Sequence, residues 1–180
     1  DIFMDIRHLA LEFQALEQAD NLIEEMEERI NIIRHKLKFI ETRPTLACIE
    51  WLSPITLAGN WMPGLVDIAG GRAIIAEEGK RSLLIDFEEI KNENPNIIVI
   101  MPCGFTIEQT LKELNLLFDL PGWTELAAVK NNRIYIAEGH QYFNRPGPRI
   151  IDSIEILAEI IHPKQFIFGY EGTGWIKFNV

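Results

Sequence analysis

Along the first forty positions, apolar residues recur at Leu9, Phe13, Leu16, Ile23, Met26, Ile30, Ile33, Leu37 and Ile40, in steps of three and four with one step of seven. Neither proline nor glycine interrupts Asp5–Glu41. That spacing is the signature of an amphipathic helix whose apolar stripe faces one way. It predicts one continuous helix of roughly 37 residues, about 55 Å long at 1.5 Å per residue. Such a length exceeds an ordinary globular helix and suggests a coiled coil or a strut between two bodies. Arg43-Pro44 closes it, because the residue before a proline avoids the helical region.

Beyond Pro44 the pattern becomes short apolar runs separated by helical segments. Thr45–Trp51, Ile97–Met101 and Arg133–Ala137 read as buried strands. Between and after them lie helices over Met62–Ala69, Asp86–Asn92, Thr106–Leu114, Pro121–Val129 and Arg149–Ile161. Asp86 with Glu89, and Thr106 with Gln109, have the spacing of capping boxes. Strands alternating with helices imply parallel pairing through right-handed crossovers. The expected fold class is therefore α/β: a long N-terminal helix over residues 1–43, then a small parallel-sheet lobe over 44–180. Three strands make a thin sheet, so a further strand or a partner is expected.

Composition narrows the function without naming it. The chain has 180 residues, 47% of them hydrophobic and 24% charged, and its net charge is −10. Nucleic acid is excluded as the partner, because phosphate binding needs clustered Lys and Arg. No window approaches the ~20 apolar residues of a spanning helix. The start, Asp1-Ile2-Phe3-Met4-Asp5, has neither the basic end nor the apolar centre of a signal peptide, and an upstream start is expected because Met4 is internal. Cys48 and Cys103 fall at different levels of the sheet, so no disulfide is expected between them.

Ligands of open parallel sheets collect beyond the carboxyl ends of the strands. That rule selects Glu50–Pro63, Pro102–Phe105 and Glu138–Pro148, which are unusually rich in Trp, Phe, Tyr, Asn and Gly. Aromatic loops at that edge suit a large, partly apolar ligand. The competing reading folds Trp51, Trp61 and Phe143 inward as a lid on the core. An enzyme reading would take Cys103, at a strand end before a capped helix, as nucleophile and His140 as base; no third orienting group is specified. His8, His35 and His162 lack metal-ligand spacing, and Gly139 to Gly147 has no phosphate-loop spacing. No catalytic residue, metal or cofactor is assigned.

Four segments carry a family resemblance: CIEWLSPITLAGNWMPGLVDIAGG (Cys48–Gly71), IIVIMPCGF (Ile97–Phe105), PGWTELAAVKNNRIYIAEG (Pro121–Gly139) and QYFNRPGPRIIDSIEILAEIIHP (Gln141–Pro163). Together with FGYEGTGW (Phe168–Trp175), they resemble class III substrate-binding proteins of ABC importers, the cobalamin and iron-siderophore binders, and most of all the cobalamin branch. The resemblance implies two α/β lobes joined by a long rigid helix, ligand held in the cleft between them, and no enzymatic activity. The Asp5–Glu41 helix then corresponds to the interlobe strut, and the first lobe would precede Asp1. Carried over by motif, the cleft-facing residues are Trp51, Asn60, Trp61, Phe105, Tyr142, Phe143 and Arg145, and the ligand is a corrinoid or a related metal chelate. Glu88 is implied as the contact to the ABC permease. Ser82 stands where relatives have an aromatic, a departure that weakens cobalamin relative to another corrinoid or a siderophore. The implied location is the periplasm or cell surface. A separate reading makes the long helix an interaction module, self-associating through Leu9, Phe13 and Leu16.

Overall fold

The computed structural model describes residues 2–179; Asp1 and Val180, the outermost residues of the two expected units, lie outside the described residues. The three foreseen strands form the centre of the sheet: β1 (Thr45–Leu52), β5 (Ile97–Ile100) and β6 (Ile134–Ala137). All pair in parallel, with Cys48 opposite Val99 and Val99 opposite Tyr135. The sheet is wider than its apolar runs announce. β2 (Ile55–Leu57) returns antiparallel along β1, and β4 (Leu83–Leu84) adds to β2. The two residues of β3 (Arg72–Ala73) pair with the start of β1, and β7 (Trp175–Phe178) closes the other side antiparallel to β6.

Because side chains alternate across a strand, this register sorts the core into two layers. Leu46, Cys48, Ile97, Val99, Tyr135 and Ala137 face one layer, while Ala47, Ile49, Ile98, Ile100, Ile134 and Ile136 face the other. The first is covered by α2 (Leu16–Leu37), α3 (Met62–Ile68) and α8 (Ile150–Ile161). The second is covered by α4 (Phe87–Glu93), α5 (Ile107–Leu111), α6 (Asn115–Phe118) and α7 (Ala127–Lys130), with Trp123 buried among them. Both capping boxes form. Cys48 is buried within the sheet and Cys103 is exposed past the end of β5, both as free thiols.

The single long helix is corrected. The first forty residues form two helices, α1 (Ile2–Glu12) and α2, separated at Gln14, whose φ is 54°. The Ala15 amide donates to the Ala10 carbonyl at 2.8 Å, and α1 folds back beside α2, tied by an Arg7–Asp20 ion pair. A straight rod would carry Ile2, Phe3 and Ile6 into solvent, whereas the fold-back half-buries all three against the lobe. A left-handed non-glycine residue costs roughly 1–2 kcal/mol, less than covering three large apolar side chains returns at about 1.5–3 kcal/mol for each one fully buried. The tip of the hairpin stays bare, with Phe13 77% and Leu9 61% exposed.

Candidate functional site

The carboxyl ends of β1, β5 and β6 are laced together by main-chain bonds. The Cys103 amide donates to the Glu50 carbonyl at 3.1 Å and the His140 amide to the Phe105 carbonyl at 3.0 Å. Gly139 fits only because it lacks a Cβ, which would stand 2.3 Å from the Pro102 carbonyl oxygen. Glu138 is buried, and its Oε2 accepts from the Ile107 amide at 3.0 Å, joining the end of β6 to the start of α5. From there Gly139–Phe143 makes one π-helical turn, a geometry often found at functional positions.

Four of the seven expected site residues line two separate recesses, Asn60 and Trp61 one and Trp51 and Phe105 the other. Asn60 and Trp61 line an open groove of about 480 Å³ together with Gly64, Ile68, Pro146 and Ile150. Asn60 is exposed and held at φ 53°, its amide donating to the Lys80 carbonyl at 2.6 Å while its own carbonyl accepts from the Gly79 amide at 2.8 Å. Asparagine tolerates that left-handed geometry better than most residues. Trp61 is half-buried at the start of α3. Arg145 is exposed next to Pro146. Trp51, 41% exposed, meets Phe105 edge-on at 5.8 Å beside a second, smaller recess of about 60 Å³ that shares no lining residue with the first. Tyr142 is half-buried with its ring against Tyr170.

Phe143 is corrected. It is 4% exposed and packs in the core layer with Ile151 and Ile154, so its ring is not presented to a ligand. Along the π-helical turn His140 and Gln141 are exposed and Tyr142 is half-buried, whereas Phe143 is directed inward. Among the lining residues of the larger groove that the rim rule missed are Ile2 and Phe3 of α1, brought there by the fold-back at Gln14. Their apolar character was legible, but not their destination. Glu88 lies exposed in the first turn of α4, 2.9 Å from Lys91 Nζ.

The electrostatics go against nucleophilic chemistry. Desolvation, with the Glu50 carboxylate adding to it, pushes the Cys103 thiol above its ordinary value, and only the thiolate attacks. Burial raises Cys48 to about 12. Among the described residues no three His, Cys, Asp or Glu side chains are grouped to hold a metal ion, and no helix is long and apolar enough to cross a membrane.

A family model described as periplasmic binding protein matches residues 1–139, more than half of the chain. The chain belongs to that family. Its members bind solutes rather than transform them, which agrees with the raised thiol. An uncharacterised ABC transporter substrate-binding lipoprotein of Bacillus subtilis, YvrC, is 26% identical over 171 residues, covering 92% of this chain and 51% of that protein. Two solved structures share the fold. The TroA-like periplasmic binding protein FepB of Veillonella parvula superposes with a TM-score of 0.72 at 21% identity, over 97% of this chain and 60% of that one. The S. aureus protein IsdE, complexed with heme, gives 0.77 at 21% identity, over 89% and 63%. The fold is thus that of the class III, TroA-like binding proteins, and the chain spans about half the length of the curated relative it matches.

Proposed function

We propose that this chain is the second lobe, with its connecting helix, of the substrate-binding component of an ABC importer, and that it captures a corrinoid or a related metal chelate against a first lobe. The observation that carries the reading is the open groove where Asn60 and Trp61 face Pro146 and Ile150, with the Trp51–Phe105 pair at the end of β1 as a second aromatic surface. A broad flat macrocycle gains about 0.5–1.5 kcal/mol from each stacked ring beyond simple burial. In this reading Asn60, which lines the groove, and exposed Arg145, next in sequence to the lining Pro146, bond peripheral amides or carboxylates. The heme held by IsdE belongs to the same class of flat chelates, and the similarity to YvrC, a substrate-binding lipoprotein, supports an extracytoplasmic location. In this reading α2 is the interlobe strut, residues 44–180 form the binding lobe, and Glu88 contacts the permease.

Titration of the complete two-lobed protein with cyanocobalamin, cobinamide, hemin and a ferric hydroxamate siderophore tests it through tryptophan fluorescence. Saturable quenching by one of the four is expected. No quenching by any of them would overturn the reading. A second reading, helix-mediated self-association, is favoured by the bare apolar tip at Leu9, Phe13 and Leu16. The two readings are compatible, because a first lobe packed on the hairpin tip would cover those same side chains.

A further inference from the structure

The rim turn Gly139–Phe143 is gripped from two sides. Gly139 and His140 are locked onto the end of β5 by the close approach to Pro102 and the bond to the Phe105 carbonyl. The other grip comes from α8: the Tyr142 carbonyl accepts from Ser153 Oγ, and the Tyr142 ring meets Tyr170 edge-on at 5.8 Å and 79°. Tyr170 is in turn tied down. Its hydroxyl lies 3.0 Å from Glu155 Oε2 and 3.1 Å from Asp152 Oδ1. The same two carboxylates hold Arg29 of α2: Nε reaches Glu155 Oε1 at 2.9 Å, and Nη2 reaches Glu155 Oε2 and Asp152 Oδ1, each at 2.6 Å.

We propose that Arg29 is a positioning residue for the rim, acting through Asp152, Glu155 and Tyr170 on the ring of Tyr142, so that the seating of α2 against the lobe sets the shape of the ligand-facing turn. Two carboxylates and one phenol share a single cation here, and a phenol has one proton to give. The guanidinium fork supplies the remaining donors in a fixed plane, which a flexible ammonium cannot reproduce. Without Arg29 the carboxylates repel each other and compete for the Tyr170 proton. Tyr170 then turns toward whichever carboxylate keeps it, and Tyr142 loses its edge contact. Cation and rim are separated by more than a hundred positions in sequence, so the link runs through packing alone.

The assignment of the turn as ligand-facing rests on the function proposed for the groove, but its test needs no ligand. Hydrogen exchange of the His140 and Tyr142 amides is measured in the chain carrying Arg29→Met, Arg29→Lys or Tyr170→Phe. Ile33→Ala, brought to equal global stability with urea, serves as the control for destabilisation alone. Arg29→Met is expected to exchange its rim amides at least about tenfold faster than the Ile33→Ala protein, with Arg29→Lys between the two. Should Arg29→Met fail to fold, Tyr170→Phe carries the test, because it removes the bonds of the hydroxyl to the two carboxylates and to Arg29 Nη2 while leaving the Arg29 pairs with Asp152 and Glu155 in place. Rim exchange no faster than in the matched Ile33→Ala protein overturns the proposal, whether or not any chelate is found to bind.

Discussion

Substituting Gly59 by alanine should disturb the groove through the backbone that frames it. An added Cβ would stand 2.6 Å from three main-chain atoms at once: the Lys80 oxygen, the Arg81 carbonyl carbon and the Ser82 nitrogen. Ordinary contact begins at 3.4 Å, so segment 80–82 must retreat by roughly 0.8 Å, and backbone cannot swing aside as a side-chain tip does. That retreat stretches the bond from the Asn60 amide to the Lys80 carbonyl, now 2.6 Å, and the bond from the Gly59 amide to Ser82 Oγ, now 3.2 Å. Overpacking costs about 1–3 kcal/mol and each of the two weakened bonds about 0.5 kcal/mol, for a sum of roughly 2–4 kcal/mol. For a chain of this size the thermal midpoint should fall by about 5–15 °C. Melting followed by circular dichroism measures the fall, and Trp61 emission should shift with it because its neighbour Asn60 is displaced. Gly147→Ala, whose Cβ would meet nothing within 4 Å, is the control and should stay within about 0.5 kcal/mol of the parent. A Gly59→Ala midpoint within about 2 °C of the parent would refute the reasoning.

Acid should weaken the fold through His162. Its ring is buried, with Nε2 bonded to the Gly70 carbonyl at 3.1 Å, and burial, reinforced by the positive charges of Arg133 and Arg43, pulls its pKa below 6.5. A base with a lowered folded pKa binds fewer protons folded than unfolded. Its contribution is therefore complete above about 6.5 and is lost as pH falls from there toward the folded value, with a slope of at most about 1.4 kcal/mol per pH unit. Urea midpoints at pH 7.5 and 5.5 should fall on acidification, and fall less in His162→Gln; an equal fall in both proteins would contradict this. At the hairpin tip, covering each of Leu9 and Phe13 is worth roughly 1.5–3 kcal/mol. The chain should therefore associate at tens of micromolar in sedimentation equilibrium, and Leu9→Ser with Phe13→Ser should return it to monomer. A parent chain that sediments as a monomer at those concentrations would count against this.

The central strands were readable because each is a short apolar run between turn residues, and the helix starts at Asp86 and Thr106 were readable because both caps are local. What escaped was set by distant parts of the chain. β2 and β4 have three and two residues, too few for an alternating pattern to stand out. The helix break at Gln14 contains no glycine or proline, and only the lobe surface that receives Ile2 and Phe3 explains it. Of the rim aromatics, Trp51, Trp61 and Phe105 remain accessible at least in part, whereas Phe143 is drawn inward by Ile151 and Ile154 one helix later. Arg29 looked like one charge among many on α2. Its importance comes from Asp152 and Glu155, which no local pattern connects to it.

The most direct measurement compares Trp61→Ala with Trp51→Ala in hemin and cyanocobalamin titrations of the complete protein. If the groove beside Asn60 holds the chelate, Trp61→Ala weakens binding about tenfold or more, as loss of a stacked ring together with its buried apolar area predicts, while Trp51→Ala, beside the smaller recess, weakens it less. Unchanged affinity in Trp61→Ala, with full quenching retained, would contradict the assignment of that groove.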